Sequence, residues 1–356
     1  MKSGRRGFLG GALGLAVAAA WVRPGHAAQQ AGVGERLHRF YIAPAVHEFK
    51  RSADAMSQAL KQMCQDPSSW QAQRLETDFR ALVAAWSRIA FLRFGPLVQD
   101  NRFERVLFWP DPRGVMLRQI RPLLQGTQDL QDLRTHSVAV QGLPALEYVL
   151  FGEPALLAEG ANAGHEAPCA YAQAVAANLA QVADALWQAW QPTGAYAKDF
   201  AFPDERNEVY RNEHEVLAEA IKALSTGLRF EADVKLRTAL GAQQDKARPK
   251  GLPFWRSGMA LFAIAEAAQG LAGFHEAAKF EPEPDWLARG LNQELRQSAE
   301  ILQSHQGQVL RMAEDADLYR ELTLVVLKLD NARRMVDEDL AAALGVGMGF
   351  NALDGD

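Results

Sequence analysis

The stretch SWQAQRLETDFRALVAAWSRIAFLRF, residues 69–94, decides the fold class. Leu75, Phe79, Leu82, Trp86 and Ile89 recur at intervals of three and four, with acidic and basic residues between them. At 3.6 residues per turn this spacing gathers the large apolar side chains on one side of a helix and leaves the charges on the other. Ser68 and Ser69 supply an N-cap, and Gly95-Pro96 a stop. The same pattern predicts helices over 35–65, with a kink at Pro44, and over 170–191, 204–227, 229–240, 254–274, 285–305 and 312–344. Period-two alternation is nowhere sustained, so the expected fold class is all-α.

Hydrophobic residues make up 48% of the 356, and charged residues 23%. That is enough of both to bury a core and wet a surface, which excludes a disordered or collagen-like chain. Helix breakers cluster at 152–168, with shorter loop signals at 191–203 and 244–253. Long amphipathic helices joined by such loops bury their stripes most simply in bundles of about four. The expectation is two adjoining four-helix bundles, 33–165 and 166–350, with a tail at 351–356. A faint echo links the halves: Phe108-Trp109-Pro110 and Pro253-Phe254-Trp255 each set an aromatic pair beside a proline and near an arginine.

The first residues have the grammar of an export signal. Arg5-Arg6 ends a basic segment, 8–22 carry no charge, and Pro24 precedes the small-residue run Gly25-His26-Ala27-Ala28. Fifteen uncharged residues are short for a bilayer span, so 1–27 reads as a signal peptide cleaved near Ala27, with the mature protein in the periplasm. The Arg-Arg-Gly-Phe-Leu run resembles a twin-arginine signal, which implies export of a folded chain, the alternative being an ordinary secretory signal with two incidental arginines. Formal net charge is −5 overall, and the leader holds four basic residues and no acid, so the mature chain carries −9. A chain this acidic repels a phosphate backbone, so nucleic acid is not an expected partner. Cys64 and Cys169 close one helical stretch and open another. They either form one bridge or stand as two thiols, and sequence does not decide between these.

Motifs for hydrolysis are missing. His-Glu occurs at 47–48, 165–166, 214–215 and 275–276, but the position four residues after each histidine holds Arg51, Cys169, Ala218 or Lys279. A zinc-protease helix needs a second histidine there so that both rings face one metal. No nucleophile elbow, P-loop or dinucleotide turn is present, and no catalytic residue is assigned. More informative is QGLPALEYVLFG, residues 141–152. Pro144 suits the first position of a helix, which puts Glu147 at the fourth, near the positive end and hemmed in by apolar neighbours. A buried carboxylate needs a cation or hydrogen-bond donors. Glu147 therefore either pairs with an arginine such as Arg88 or Arg256, or serves as a ligand to metal or substrate. Arg256-Ser257 at the head of a helix can hold an anion. Trp109 with Phe108 and Arg105 forms an aromatic and basic patch, which reads either as packing or as a pocket wall. The strip Glu314, Asp315, Asp317 and Glu321 reads as a solvated face or a cation site.

These segments carry a resemblance. GLPALEYVLFG (142–152), NRFERVLFWPDP (101–112), PFWRSG (253–258) and the tail LGVGMGFNALDGD (344–356) are together similar to the imelysin family, exported proteins tied to bacterial iron acquisition. The resemblance implies two helical bundles with a site between them. The family signature is Gly-x-His-x-x-Glu; Gly142 and Glu147 occupy its ends, and Pro144 stands at the histidine. The signature marks Glu147 and Gly142 as ligand-site residues, and the residue chemistry above adds Arg256, Ser257, Arg88 and Trp109. Glu147 is the metal-ligand candidate, for iron or another divalent metal completed from other helices. The implied function is a periplasmic accessory protein in iron acquisition that binds a metal or a small anionic ligand, with an envelope iron-uptake component as partner. Proline supplies no imidazole to activate water, so the family's metallopeptidase activity is the alternative, beside an envelope interaction module without ligand chemistry.

Overall fold

In a computed structural model, residues 31–66, 71–126, 130, 132–152, 156–157 and 166–347 are described. The signal segment 1–27, the Ser68-Ser69 cap and the tail 351–356 lie outside them. The elements in order are α1 (Val33–Leu37), α2 (Ala43–Gln65), α3 (Ala72–Ile89), α4 (Arg102–Val106), α5 (Val115–Leu124), α6 (Gly142–Phe151), α7 (Glu166–Trp190) and α8 (Ala195–Ala201). Then follow α9 (Glu213–Arg229), α10 (Thr238–Leu240), α11 (Ala260–Ala278), α12 (Asp285–Ser304), α13 (Ala316–Arg334) and α14 (Ala341–Ala343). No strand occurs among the described residues, and the fold is all-α.

The stripe of α3 does what its spacing implies. Leu75, Phe79, Leu82, Trp86 and Ile89 are each at most 3% exposed, and burying a side chain of this size contributes about 1.5–3 kcal/mol. The helix ends at Ile89, before Gly95-Pro96, which instead open a short 3₁₀ turn, Gly95–Leu97. Pro44 lacks an N–H for the carbonyl four residues earlier. The chain meets it by widening into a π turn, His38–Ile42, that joins α1 to α2. The break expected between 227 and 229 is absent: α9 runs through a π segment, Phe230–Arg237, into α10. Gly227 serves packing there, because a Cβ would lie 2.7 Å from Phe91 and 2.8 Å from Leu271. Two other expected helices are shorter: 204–212 precedes α9, and 254–259 is a turn before α11.

The division expected at residue 165 does not separate the packing. Helix α7, beyond that point, lies along α2, which also packs on α3. A disulfide between Cys64 and Cys169 ties the end of α2 to the start of α7. Helix α11 contacts both α3 and α12, and α12 contacts α13. The buried apolar residues from Val33 to Ala341 form one continuous core, and contacts gather the chain from Gly32 onward into one compact unit. Most of the Gly-, Ala- and Pro-rich run 152–168 lies outside the described residues, and the helices on either side of it, α6 and α7, pack on one another.

Candidate functional site

Helix α6 begins at Gly142, two residues before the proline, so Glu147 sits in its second turn. Gly142 has φ +82°, and a Cβ there would come within 2.5 Å of the Val106 carbonyl oxygen and 2.6 Å of that of Arg105. Only glycine permits this approach of α6 to the end of α4. Its contribution is therefore to place α6, and it is not part of the cleft wall described below.

Glu147 is 2% exposed. Its Oε1 accepts from the Ser257 backbone N–H at 2.9 Å and from the Ser257 hydroxyl at 2.9 Å. The hydroxyl also reaches the Phe254 carbonyl, 3.2 Å away. Burial pushes the Glu147 carboxyl above its usual range, while the Ser257 donors and the Arg256 charge pull it down; burial prevails. The turn that presents Ser257 is closed by Met259 N–H donating to the Phe254 carbonyl. Phe254 takes φ +62° to make it, an unusual conformation for a bulky residue and one held here by burial.

Glu147 borders a cleft of about 460 Å³. One wall is the segment 108–117, with Phe108 and Trp109, and another is 248–256, with Arg248, Lys250, Trp255 and Arg256; Pro144 and the segment 234–239, with Lys235, also line it. The two aromatic–proline motifs echoed in sequence thus meet across one cavity. Trp109 Nε1–H donates to the Gly251 carbonyl at 2.9 Å and crosses Phe230 edge to face at 5.8 Å. Arg256 lies 4.4 Å from the Trp255 ring centre and 5.5 Å from that of Tyr148, and Lys250 is 5.1 Å from Trp255. Such contacts hold a cation over an aromatic face at about 0.5–1 kcal/mol each where exposed.

Arg88 is elsewhere. It donates to Glu266 at 2.6 and 2.7 Å and borders a separate hollow with Tyr41 and Glu48. Gly270 of α11 sets it there: a Cβ would stand 2.9 Å from the Arg88 backbone, so α3 and α11 touch at that level. Arg105 also leaves the patch expected around Trp109, reaching Gln141 at 3.1 Å and Asn178 at 3.0 Å. Three acids of the strip, Asp315, Asp317 and Glu321, are engaged with their surroundings. Asp315 accepts from the first amides of α13, Asp317 pairs with Arg320, and Glu321 meets His305.

Several residues escaped sequence reasoning. Asn178 and Gln141 are buried and bond to one another at 2.9 Å; an asparagine inside the alanine-rich face of α7 was the available signal. Lys235 is buried against Glu231, with Nζ at 2.6 and 2.8 Å from its two oxygens. Burial pushes the Lys235 amine down and the Glu231 carboxyl up, each opposed by its partner.

The donor set does not fit a resident divalent cation. Among the described residues, no three His, Cys, Asp or Glu side chains converge on one point. Glu147 already accepts two hydrogen bonds through one oxygen. Asp111, the other acid in the cleft wall, uses both oxygens to accept from Val115 and Met116 N–H at the start of α5. The rest of the lining is mainly apolar and cationic, whereas a hard metal asks for several free oxygens.

Fold and site together define a class: an all-helical protein with an aromatic, cation-rimmed cleft beside a buried carboxyl. The chain belongs to the imelysin family, whose model (peptidase M75) matches residues 42–333. No curated protein matches the chain. Among solved structures it is similar to an imelysin-like protein from Psychrobacter arcticum 273-4. That likeness has a TM-score of 0.70 at 19% identity, covering 89% of this chain and 97% of that one. It is also similar to a putative iron-regulated protein A precursor from Parabacteroides distasonis ATCC 8503. There the TM-score is 0.63 at 12% identity, with 85% and 94% covered. At these identities the likeness concerns the fold.

Proposed function

We propose that this chain is a periplasmic accessory protein of iron acquisition that binds a metal complex or small ligand in the cleft bordered by Trp109, Glu147 and Arg256 and passes it to an envelope partner. The observation that carries the reading is Glu147 itself. A carboxyl 2% exposed, fixed by two donors from Ser257 110 residues away in sequence, borders a cavity large enough for a small molecule. Family membership and a structural relative named as an iron-regulated protein support the iron link. The Cys64–Cys169 disulfide suits an oxidising compartment and agrees with the export reading of 1–27. No described helix is long and apolar enough to cross a membrane. Binding is favoured over peptide hydrolysis because Pro144 stands at the signature histidine.

The test is radio-iron uptake in an iron-limited strain lacking the chain. Uptake should fall, and be restored by the wild-type chain but not by Glu147→Ala. Unchanged uptake in the deletion strain overturns the iron role; full rescue by Glu147→Ala overturns the role of the cleft.

A further inference from the structure

We infer that the cleft is an anion site: it takes a small polyanion with closely spaced carboxylate or phosphate groups, read by Arg248, Lys250 and Arg256, and a metal ion enters only as part of such an anion. The inference rests on the cleft being a ligand site and adds the chemical class of the ligand.

Charge is the first argument. The chain is acidic overall, and its arginines commonly hold a carboxylate, as Arg102, Arg134, Arg206, Arg237 and Arg333 do. What sets Arg248, Lys250 and Arg256 apart is position: none forms a salt bridge with a described acid, and all three border one cavity. Unpaired cations converging on a cleft raise the local concentration of an anion. Arg256 can meet two oxygens at once through its guanidinium. Its stacking on Trp255 limits the freedom it loses on binding.

The acids offer little opposition. Both Asp111 oxygens face the amides of α5. Glu147 is 2% exposed and its Oε1 already accepts from the Ser257 N–H and hydroxyl, so it turns little free charge toward an incoming anion. Lys235 is matched by Glu231, which leaves the balance to the three rim cations. Phe108, Trp109 and Trp255 provide an apolar wall against which a compact organic anion can lie.

Calorimetry on the purified, metal-free chain tests this with citrate, pyrophosphate, neutral triethyl citrate, ferric citrate and unchelated ferrous chloride. Citrate or pyrophosphate is expected to bind, which of the two distinguishing carboxylate from phosphate ligands, and ferric citrate to follow the carboxylate arm. Binding should weaken as salt rises, since the rim is exposed. Arg248→Ala and Lys250→Ala, at exposed positions that leave the core intact, should each weaken binding several-fold, and Arg256→Gln about tenfold. Thermal unfolding confirms that each variant is folded. Failure of both anions to bind, equal binding of the triethyl ester, or ferrous binding indifferent to all three substitutions overturns the anion site. None of these readouts involves uptake. A chain required for iron uptake that ignores polyanions sinks this inference alone, and polyanion binding by a chain dispensable for uptake sinks the iron role alone.

Discussion

Replacing both cysteines, Cys64→Ala with Cys169→Ala, should cost most of the stability that one covalent link supplies. The bond joins positions 105 residues apart. Closing a loop of that length removes unfolded-chain entropy equivalent to about 4.7 kcal/mol at 25 °C. Little of this is offset in the folded state, because α2 and α7 already pack along one another and Cys169 is 4% exposed within the core. Alanine leaves no polar group behind at that buried position. The assay is urea unfolding followed by tryptophan fluorescence, with refolding and unfolding rates measured in the same buffer. If α2 and α7 come together in the transition state, the loss appears mainly as slower refolding, and if they join later, as faster unfolding. Wild-type protein in excess reductant should behave as the double variant does. A loss below about 1 kcal/mol, where a long loop requires several, refutes the reasoning.

Gly142→Ala forces a Cβ into two carbonyl oxygens at φ +82° and should lose about 3 kcal/mol or more in thermal unfolding. Gly114→Ala, at φ +60° with open space around it, should lose only about 1–2; equal losses would mean that contact with α4 does not matter. Glu147→Gln keeps an oxygen for both Ser257 donors and removes the ionisation. The wild-type carboxyl is raised by burial, so it favours folding below the ordinary carboxyl pKa, and that advantage is lost as pH rises through the folded value. Denaturation between about pH 4 and pH 8 should therefore show the stability difference moving in the variant's favour as pH rises; a constant difference contradicts the raised carboxyl. Glu231→Gln leaves the Lys235 ammonium buried and unmatched and should cost about 3–5 kcal/mol, whereas replacing both residues by methionine should cost far less. A double-mutant cycle reads this directly, and additive losses would deny the coupling.

The fold class was legible because the helices with one apolar face announce themselves locally: the α3 stripe buries each residue that its spacing selects. Boundaries failed where a residue's usual meaning was overridden by packing. Gly227 reads as a breaker in sequence, yet it lies inside a helix because Phe91 and Leu271 need its space. The run 152–168 reads as a domain edge, but α7 returns to α2. At the site, Glu147, Trp109, Arg256 and Ser257 were marked by aromatic, proline and charge patterns, and the fold brings all four together. Arg88 was misplaced because charge alone suggested its partner; its distance from the cleft follows from a helix contact at Gly270 that no local pattern reveals. Arg248 and Lys250 lie in a stretch that reads only as a loop.

The error at residues 254–258 has the largest consequence, because the site exists only where the helical expectation fails. Had α11 begun at Phe254, the Ser257 N–H would lie in the first turn and point along the helix axis. The chain turns there instead: Phe254 adopts φ +62° and Gly258 φ +70°, and the Ser257 N–H and hydroxyl meet Glu147. A non-glycine residue in that region costs about 1–3 kcal/mol. Two hydrogen bonds to a buried carboxyl, at about 0.5–1.5 kcal/mol each, together with burial of the Phe254 ring, offset that cost. The same turn places Trp255 and Arg256 at the cleft, so the strained backbone, the fixed carboxyl and the cationic wall are one structural unit. Sequence periodicity reports how a segment satisfies itself; it is silent about a segment whose donors are satisfied by α6, more than a hundred residues earlier in the chain.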